Sequence, residues 1–379
     1  MDQSGVRNEA ATAADPLRVM VVDDSAVIRG LIIRALETDP EIKVVASVGD
    51  GQMALNAVQR QPIDVIVLDI EMPVMDGISA LPKLIEASPG TKVIMASTLT
   101  VRNAEISLKA MAAGAADYVP KPSTREIHGA ETFKRELIGK VKAWGAVARK
   151  TTRQRPRPVV TTPARPAPKA TPATIRTREM PAQFRPEVIA IGSSTGGPQA
   201  LFEVLSHLGR GQVGQPILIT QHMPATFTTI LADHISRQCG LSAREAVDAE
   251  PLVGGRCYIA PGDYHMTVET RPGGPVLRLN QEPPENFCRP AVDPMLRSLA
   301  AGFAGRVLTV ILTGMGQDGL KGCRVIAEAG GVVIAQDEGT SVVWGMPGAV
   351  SHAGLANAVL PLKEIGPFIR RLAQARSAA

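Results

Sequence analysis

The sequence predicts an α/β protein: an N-terminal doubly wound five-stranded domain, then a C-terminal, mostly parallel α/β domain with a small antiparallel hairpin region. In both halves, short β-branched runs alternate with amphipathic helical stretches. The runs are apolar at nearly every position, which is typical of parallel strands that helices cover on both faces. A chain of 379 residues is also too long for one ordinary core, so two domains are expected.

The N-terminal domain is assigned to residues 16–148. Its strands are expected at 18–22, 43–48, 64–68, 92–97 and 116–119. Its helices are expected at 26–37, 51–59, 78–87, 103–113 and 131–147. Five repeats of strand and helix are the pattern of a doubly wound parallel sheet, in which ligands bind beyond the carboxyl ends of the strands.

A segment of different composition, residues 149–186, follows this domain. It contains eight prolines, ten Lys or Arg residues and a single acid, Glu179. Because it has few large apolar side chains, it cannot bury enough surface to fold, and a flexible tether is expected. The segment carries an excess of nine positive charges and the whole chain only +5, so the remainder has a net charge of −4. The basic character therefore belongs to the linker.

The C-terminal domain is assigned to residues 187–376. Its strands are expected at 188–191, 216–221, 307–312 and 332–335. Its helices are expected at 199–208, 226–238, 292–303, 319–328 and 363–375. Residues 257–281 contain Pro-Gly and Gly-Gly turns and are expected to form β-hairpins.

Composition excludes several classes of function. The mildly acidic domains and the 3% content of aromatic residues disfavour nucleic-acid binding. No apolar run approaches the roughly 20 residues of a membrane span, and no secretory signal is visible, so a cytoplasmic protein without direct membrane insertion is expected. The cysteines form no CxxC pair, which predicts reduced and mostly buried thiols rather than a zinc site. They are Cys239, Cys257, Cys288 and Cys323.

Acidic residues follow two strands of the N-terminal domain. Asp23 and Asp24 follow the first strand and Asp69 the third, while Ser97 ends the fourth and Lys121 follows the fifth. Three clustered carboxylates repel one another, and Mg²⁺ is a hard cation that such oxygen ligands prefer. Beside the cation, Asp69 can attack a phosphoryl group, whose oxygens Lys121 and Ser97 would bind. For Asp23 alone, a solvated loop residue or a helix cap remains an equal alternative.

A nucleophile motif lies between the first strand and first helix of the C-terminal domain. Residues 192–196 read GSSTG, which is G-x-S-x-G with Ser194 at the centre. The glycines permit a tight turn, and the start of the helix favours developing negative charge. Two other interpretations stay open for this motif alone: a loop that binds an anion, and a close-packed turn without chemistry.

Two further residues follow apolar strands and complete a candidate triad. His222 follows the strand at 216–221, and Asp318 lies in the glycine-rich run after the strand at 307–312. His222 can take the proton of Ser194, and Asp318 can orient its imidazole. The backbone amide of Met315 is a candidate oxyanion donor. Asp293 is the rival acid, although its place before a helix favours a helix cap.

The N-terminal motifs resemble two-component receiver domains. They are VVDDS at 21–25, DIEMPVMDG at 69–77 and YVPKP at 118–122. The resemblance implies that a partner histidine kinase phosphorylates Asp69. Its Mg²⁺ ligands would be Asp24, Asp69 and the backbone carbonyl of Glu71, with Asp23 assisting through water. Its switch residues would be Ser97, Tyr118 and Lys121.

The C-terminal motifs resemble the catalytic domain of the chemotaxis protein-glutamate methylesterases, known as CheB. They are IGSSTGG at 191–197, TQHMP at 220–224, IAPG at 259–262, RPAVD at 289–293, LTGMGQDG at 312–319 and VWGMP at 343–347. The order of receiver, linker and this domain is also the family's. By position, the nucleophile is Ser194, the general base His222, the orienting acid Asp318 and the oxyanion donor Met315. Ser193 replaces a frequent Ala of the family and Ala291 a frequent Ser, without touching the triad.

The resemblance implies a cytoplasmic enzyme that acts on methyl-accepting chemotaxis receptors. It would hydrolyse their glutamyl γ-methyl esters to glutamate and methanol, deamidate selected glutamines, and need no cofactor for this chemistry. We hypothesise that the unphosphorylated receiver domain covers the Ser194 site. The alternative is a receiver-controlled module that binds an anion without catalysis. A DNA-binding regulator is disfavoured, since no basic recognition helix appears in the C-terminal half.

Overall fold

A computed structural model of the chain describes residues 15–98, 100–121, 127–153, 175–209 and 211–374. The described residues divide into two units. The first contains residues 15–96 and 127–153, and the second contains residues 97–121 and those from 175 onward. Residues 154–174, the middle of the predicted linker, lie outside the described residues. The predicted domain boundaries therefore stay predictions.

Strands and helices alternate through the described residues up to Arg153. They are β1 (Leu17–Val22), α1 (Ala26–Leu36), β2 (Ile42–Val48), α2 (Gly51–Arg60), β3 (Val65–Asp69), α3 (Gly77–Ala87), β4 (Lys92–Ser97), α4 (Val101–Ala112), β5 (Asp117–Pro120) and α5 (Ile127–Arg153). The strand order is β2-β1-β3-β4-β5, and β1 pairs in parallel with β2 and β3, as β3 does with β4. The doubly wound prediction is confirmed.

Side-chain caps fix where the helices begin beyond the strand ends. Asp50 accepts a hydrogen bond from the amide of Met53 at 2.8 Å, and Asp76 accepts one from Ser79 at 2.7 Å. Both caps satisfy backbone donors that have no partner inside the helix. Every residue of β3 is buried, so Asp69 lies at the end of a fully buried strand.

The C-terminal residues form a seven-stranded sheet, a hairpin and six helices within the described part of the chain. The elements are β6 (Val188–Ser193), α6 (Gly197–Leu205), β7 (Ile217–Gln221), α7 (Phe227–Cys239), β8 (Ser242–Glu245), β9 (Arg256–Ile259), β10 (His265–Arg271), β11 (Gly274–Asn280), α8 (Val292–Phe303), β12 (Val307–Ile311), α9 (Leu320–Glu328), β13 (Val332–Gln336), α10 (Met346–His352), β14 (Ala358–Leu360) and α11 (Leu362–Gln374). The sheet order is β14-β13-β12-β6-β7-β9-β8.

The hairpin prediction for residues 257–281 is only partly right. Strands β10 and β11 form the antiparallel hairpin, but β9 pairs in parallel with β7 and β8 inside the large sheet. Glycines precede β9 and the Pro261–Gly262 pair follows it, as in the turns of a hairpin. This similarity is why β9 was wrongly predicted to be part of a hairpin. The short elements β8, α10 and β14 were not predicted, since each has at most seven residues and little periodicity.

The two described ends of the predicted linker belong to ordered elements. Helix α5 continues to Arg153, past the start of the segment at residue 149. At the other end, the Arg178 guanidinium donates to the carbonyls of Ala327 and Gly331 at 2.9 and 3.2 Å. Asn357 Nδ2 donates to the carbonyl of Glu179 at 2.7 Å. These bonds attach residues 178–179 to the neighbourhood of α9 and β13.

Residues 97–121 pack within the second unit. Tyr118 stacks on Phe227 with ring centroids 4.3 Å apart. The amide of Gln199, on α6, donates to the carbonyls of Ala115 and Ala116 at 3.3 and 3.0 Å. Asp117 accepts a long hydrogen bond, 3.4 Å, from the backbone amide of Gly196. The segment that carries the predicted switch residues therefore contacts the turn that carries Ser194.

The structure also bears on the cysteine and membrane predictions. All four cysteines are free thiols, three of them buried and Cys288 partly exposed. No helix among the described residues is both long and apolar enough to cross a membrane.

Candidate active site

The three acids predicted at the first site lie together. The carboxylate oxygens of Asp23, Asp24 and Asp69 are all within 4.8 Å of one another. Asp23 and Asp69 are buried, whereas Asp24 is exposed. The first unit thus places an acidic cluster of oxygen ligands at the ends of β1 and β3, which fits the chemistry that Mg²⁺ prefers.

Backbone geometry fixes Asp69 in this cluster. Its Oδ1 accepts a hydrogen bond from the amide of Ile70 at 2.7 Å. The amide of Gly77, at the start of α3, donates to the carbonyl of Ile70 at 2.9 Å. A Cβ at Gly77 would overlap the carbonyl of Asp69, so only glycine permits this close approach. Glu71, two residues after Asp69 in the sequence, is exposed.

Of the predicted switch residues, Ser97 and Tyr118 are buried and Lys121 is partly exposed. Ser97 Oγ lies 3.1 Å from Ser107 Oγ, and the backbone carbonyl of Ser97 accepts from the amide of Lys121 at 2.7 Å. Tyr118 is only 3% exposed, with its ring on Phe227. In this arrangement the tyrosine ring is enclosed within the second unit.

Ser194 lies on the sharp turn between β6 and α6. Its amide donates to the carbonyl of Thr313 at 3.0 Å, and its carbonyl accepts from Gly197 at 2.7 Å. Gly196 caps the helix with a φ of 73°, a left-handed conformation that favours glycine. The turn therefore presents Ser194, which is partly exposed, beyond the carboxyl end of the strand.

Gln221, the last residue of β7, ties the nucleophile turn to the neighbouring strand. Its Oε1 accepts from Ser193 Oγ at 2.6 Å. Its Nε2 donates to the carbonyls of Ser194 and His222 at 3.0 and 3.3 Å. The sequence motifs gave Gln221 no role, although it directly precedes His222. A buried glutamine at a strand end was the available signal, because such an amide needs partners.

The strand register brings His222 beside Ser194. In the parallel pair of β6 and β7, Ser193 faces Gln221, so Ser194 and His222 are the next residues of the two strands. The amide of His222 also donates to the carbonyl of Ser193 at 3.1 Å. His222 Nε2 lies 2.7 Å from Asp318 Oδ2, and the imidazole is 11% exposed.

Asp318 is fully enclosed by hydrogen-bond donors. Its Oδ2 accepts from the amide of Val292 at 2.6 Å, and its Oδ1 accepts from the amides of Asp293 and Gly319 at 3.2 and 3.0 Å. Burial opposes its negative charge, but the bond to His222 and these amides outweigh burial and lower the pKa of Asp318. An ionised Asp318 is acceptor-only, so His222 carries a proton on Nε2.

A third carboxylate, Asp293, plays a different part from the one predicted. It does not cap its own helix, whose N-cap is Ala291. Instead, Asp293 Oδ1 accepts from the amide of Gly322 at 2.7 Å and so caps the first turn of α9. Burial is the main reason that the pKa of Asp293 is raised, and the charge of Asp318 adds to it. The distinction between the two acids is clear: only Asp318 contacts His222.

Asn286 joins the two carboxylates. Its Nδ2 donates to Asp318 Oδ1 at 2.9 Å and to Asp293 Oδ2 at 3.1 Å. The residue has a φ of 51°, a left-handed conformation that asparagine adopts more readily than most residues. The sequence offered no periodic pattern around it, so this contact was missed.

Cys288 contacts Nδ1, the other ring nitrogen of His222. Its Sγ lies 3.4 Å from His222 Nδ1, on the side of the ring away from the bond to Asp318. Burial opposes a charge on the imidazole, but attraction to Cys288 and the bond to Asp318 raise the pKa of His222 to about 10. Ser194 Oγ makes no hydrogen bond with any residue that the structure describes.

The predicted oxyanion donor lies in the loop that packs on the nucleophile. A Cβ at Gly314 would come within 2.9 Å of the Cβ of Ser194, so the loop and the turn touch. The amide of Gly314 donates a hydrogen bond to the carbonyl of Val343. The next amide, that of Met315, donates to no backbone carbonyl of the described residues, and the Met315 side chain is 39% exposed.

Comparison with known proteins places the chain in a family. A family model described as "CheB methylesterase" matches residues 189–369, and one described as "Response regulator receiver domain" matches residues 19–130. The protein-glutamate methylesterase/protein-glutamine glutaminase of Azospirillum brasilense is 66% identical over 373 residues, covering 96% of this chain and 94% of its own. The chain belongs to the CheB methylesterase family.

Other CheB relatives agree with this placement. The protein-glutamate methylesterase/protein-glutamine glutaminase of the group 2 operon of Rhodospirillum centenum is 65% identical over 382 residues, covering 96% of both chains. The crystal structure of the Thermotoga maritima CheB methylesterase catalytic domain is 39% identical and covers 50% of this chain and 100% of its own, with a TM-score of 0.48. The two family models and the two full-length relatives confirm the resemblances inferred from the motifs.

Proposed function

We propose that this chain is a protein-glutamate methylesterase and protein-glutamine glutaminase whose nucleophile is Ser194. The observation that carries the proposal is the 2.7 Å contact of His222 with a buried, ionised Asp318, at the strand end next to Ser194. A base held by an enclosed carboxylate beside a serine on a strand-to-helix turn is the arrangement of a serine hydrolase. The printed names of the relatives supply the substrate class.

The reaction follows from these contacts. Because His222 Nε2 carries the proton shared with Asp318, Nδ1 is the atom that accepts the proton of Ser194. Ser194 Oγ then attacks the ester carbonyl, and the protonated imidazole returns the proton to the departing methanol. Water resolves the acyl-enzyme to glutamate by the same steps in reverse. A glutamine side chain passes through the same tetrahedral intermediate and releases ammonia.

The loop around Met315 would stabilise the negative charge of that intermediate. Its amide is adjacent to Gly314, which touches Ser194, and donates to no described backbone carbonyl. An amide that already points at the developing oxyanion stabilises its negative charge more than an amide that must reorient during the reaction. Helix α6 begins three residues after Ser194, and the positive end of its dipole acts in the same sense.

We further propose that Asp69 is phosphorylated by a histidine kinase and that Asp23, Asp24, Asp69 and the backbone carbonyl of Glu71 would hold Mg²⁺. Bound there, Mg²⁺ would neutralise charge as the phosphoryl group is transferred. Asp69 supplies the attacking carboxylate oxygen, which the Ile70 amide orients. The substrate would be the cytoplasmic part of methyl-accepting chemotaxis receptors, and the enzyme would itself be cytoplasmic.

Control by occlusion is supported by the packing of residues 97–121. Tyr118 and Lys121, proposed switch residues, belong to the same segment whose Asp117 contacts Gly196 on the nucleophile turn. A rearrangement of this segment on phosphorylation would change those contacts. Replacing Gln199 with Ala removes two bonds to the segment and is expected to raise hydrolysis by the unphosphorylated protein. An unchanged or lower rate in a folded variant would count against occlusion.

Acylation by a serine-directed fluorophosphonate probe tests the chemistry. The expected result is stoichiometric labelling of Ser194, identified by peptide mass spectrometry, and its loss in His222→Ala. The competing proposal, a module in which residues 192–197 bind an anion without catalysis, predicts no labelling in either protein. His352→Ala, which changes a histidine of α10 outside the site, is the matched control and should label normally.

A further inference from the structure

Cys288 lies against the imidazole of His222, and the proposed reaction does not use it. Cys288 ends a tight turn that begins at Glu285. The amide of Glu285 donates to the carbonyl of Cys288 at 3.1 Å, and the amide of Cys288 donates to the carbonyl of Glu285 at 2.9 Å. The two central residues, Asn286 and Phe287, have φ values of 51° and 64°. Such a two-residue hairpin turn has little freedom, so the backbone dictates where the thiol lies.

Side-chain contacts anchor this turn to the rest of the site. Arg297, on α8, donates from Nη1 to Glu285 Oε2 at 2.9 Å. Asn286 donates to Asp318 and Asp293. The thiol of Cys288 is therefore held against His222 by the same elements that hold the orienting acid, and its position at Nδ1 is built into the site.

A neutral imidazole has one donor nitrogen and one acceptor nitrogen. Since Nε2 donates to Asp318, the lone pair on Nδ1 is the only acceptor on His222. The thiol of Cys288, 3.4 Å away, uses that lone pair, and Ser194 needs it for proton transfer. Both groups cannot hold it at once.

We propose that Cys288 competes with Ser194 for Nδ1 of His222 and holds the resting site in a less reactive state. This inference rests on the proposed function, because it takes His222 as the base of Ser194. It makes Cys288 a positioning residue that acts through the imidazole and not a nucleophile of the reaction. Displacement of the thiol from Nδ1 then precedes attack by Ser194.

The surroundings of the nucleophile support the competition. Ser194 Oγ has no hydrogen-bond partner among the described residues, as expected if its base is already engaged.

The test is the rate of fluorophosphonate labelling of Ser194 in the full chain. In that step Ser194 Oγ bonds to phosphorus, fluoride leaves, and His222 takes the hydroxyl proton. Cys288→Ala and Cys288→Val both remove the S–H donor, and valine keeps the volume. Both are expected to label about 2- to 10-fold faster than the unmodified protein, the range of one net hydrogen bond. Cys239→Ala, a thiol lost from the end of α7, should leave the rate unchanged.

Other patterns would overturn the inference. If Cys288→Ala labels more slowly and Cys288→Val labels normally, the thiol only fills space. If both are slower and Cys288→Ser restores the rate, the thiol assists His222 instead of competing. Equal rates in all proteins would also contradict it. Absence of labelling in the unmodified protein is a different result, since it rejects the proposed function itself.

Discussion

The two sites of this chain both lie at the carboxyl ends of parallel strands, but they treat negative charge in opposite ways. Asp23, Asp24 and Asp69 crowd three carboxylates within 4.8 Å, with Asp24 open to solvent. Asp318 is a single carboxylate, 1% exposed, and backbone amides, Asn286 and His222 donate to it. The acidic cluster therefore favours binding of an external cation, whereas the protein itself satisfies Asp318.

This contrast indicates which site responds to conditions and which is fixed in advance. A cluster of repelling charges changes when a cation or phosphoryl group arrives, and that suits a sensor. A carboxylate with all its acceptors occupied cannot reorganise, and that suits an acid that must hold an imidazole in place. If the contrast holds, changes at Asp318 lower turnover itself, whereas changes at Asp69 alter only its control.

The largest effect is expected from Asp318→Asn. The amide would present an N–H group to His222 or to backbone donors, so the imidazole loses its orientation and its proton on Nε2. We expect turnover to fall about 10⁴-fold, by analogy with the same change in serine proteases. Methanol release from methylated receptors measures it, and Asp248→Asn, at an exposed carboxylate, is the control. A loss smaller than about tenfold, the size of one hydrogen bond to a charged group, would mean that Asp318 does not orient the base.

Asp69→Asn is expected to act on the sensor alone. The variant lacks the carboxylate that takes the phosphoryl group, so a small-molecule phosphodonor should no longer raise methanol release. The lost rise would be about 5- to 150-fold, the range of coupling free energies of about 1–3 kcal/mol. Chelation of divalent cations should abolish the rise in the unmodified protein as well. A full rise in Asp69→Asn would contradict the assignment of the phosphorylation site.

Asn286→Gly tests whether the enclosure of Asp318 matters for catalysis. Glycine tolerates the φ of 51°, so the change removes the side-chain donor to two carboxylates without straining the backbone. We expect kcat to fall about tenfold, in line with a hydrogen bond to a charged group, with little change in KM. Asn286→Asp places a third carboxylate beside Asp318 and Asp293, and its kcat should fall further than that of Asn286→Gly. Equal kcat values in both variants and the unmodified protein would show that this donor is dispensable.

The smallest effect is expected at Asp64, which belongs to neither site. Burial opposes its charge, but bonds from Arg18 and Arg149 outweigh burial and hold its pKa below the ordinary value of 3.8. A lowered folded-state pKa stabilises the fold above pH 3.8, and this stabilisation is lost as pH falls through the folded value. Asp64→Asn should therefore lower the free energy of unfolding of the N-terminal domain by about 1–3 kcal/mol at neutral pH.

Urea denaturation, followed at neutral pH and again at a pH below 3.8, checks this expectation. The difference between Asp64→Asn and the unmodified protein should shrink at the lower pH. Asp50→Asn keeps a helix cap and is the control for a general loss of charge. A difference that grows as the pH falls would contradict a lowered pKa of Asp64 in the folded protein.

Much of the fold and part of the site could be predicted from the sequence, for identifiable reasons. Ser194 and His222 each follow an apolar strand, and parallel strands bring their ends to one edge of a sheet. The same logic placed Asp23, Asp24 and Asp69 together. Strand β9 was misread because four residues between glycine and proline turns look like part of a hairpin.

The contacts around Asp318 could not be predicted in this way. Asn286 and Cys288 reach the site through a turn with two left-handed residues, and no periodic pattern signals that geometry. Asp293 was expected to cap the helix that follows it, but it lies in the first turn of α8 and caps α9, the next helix along the chain. Such long-range contacts depend on how helices pack, which local sequence does not determine.

Methanol release from methylated chemotaxis receptors tests the central claim most directly. The unmodified protein should release methanol, faster with a phosphodonor than without it, and Ser194→Ala should release none above background under either condition. Folding of the variant is checked by its unfolding transition, which should match the unmodified protein. Near-normal methanol release by a folded Ser194→Ala would contradict the account, because it would remove Ser194 as the nucleophile.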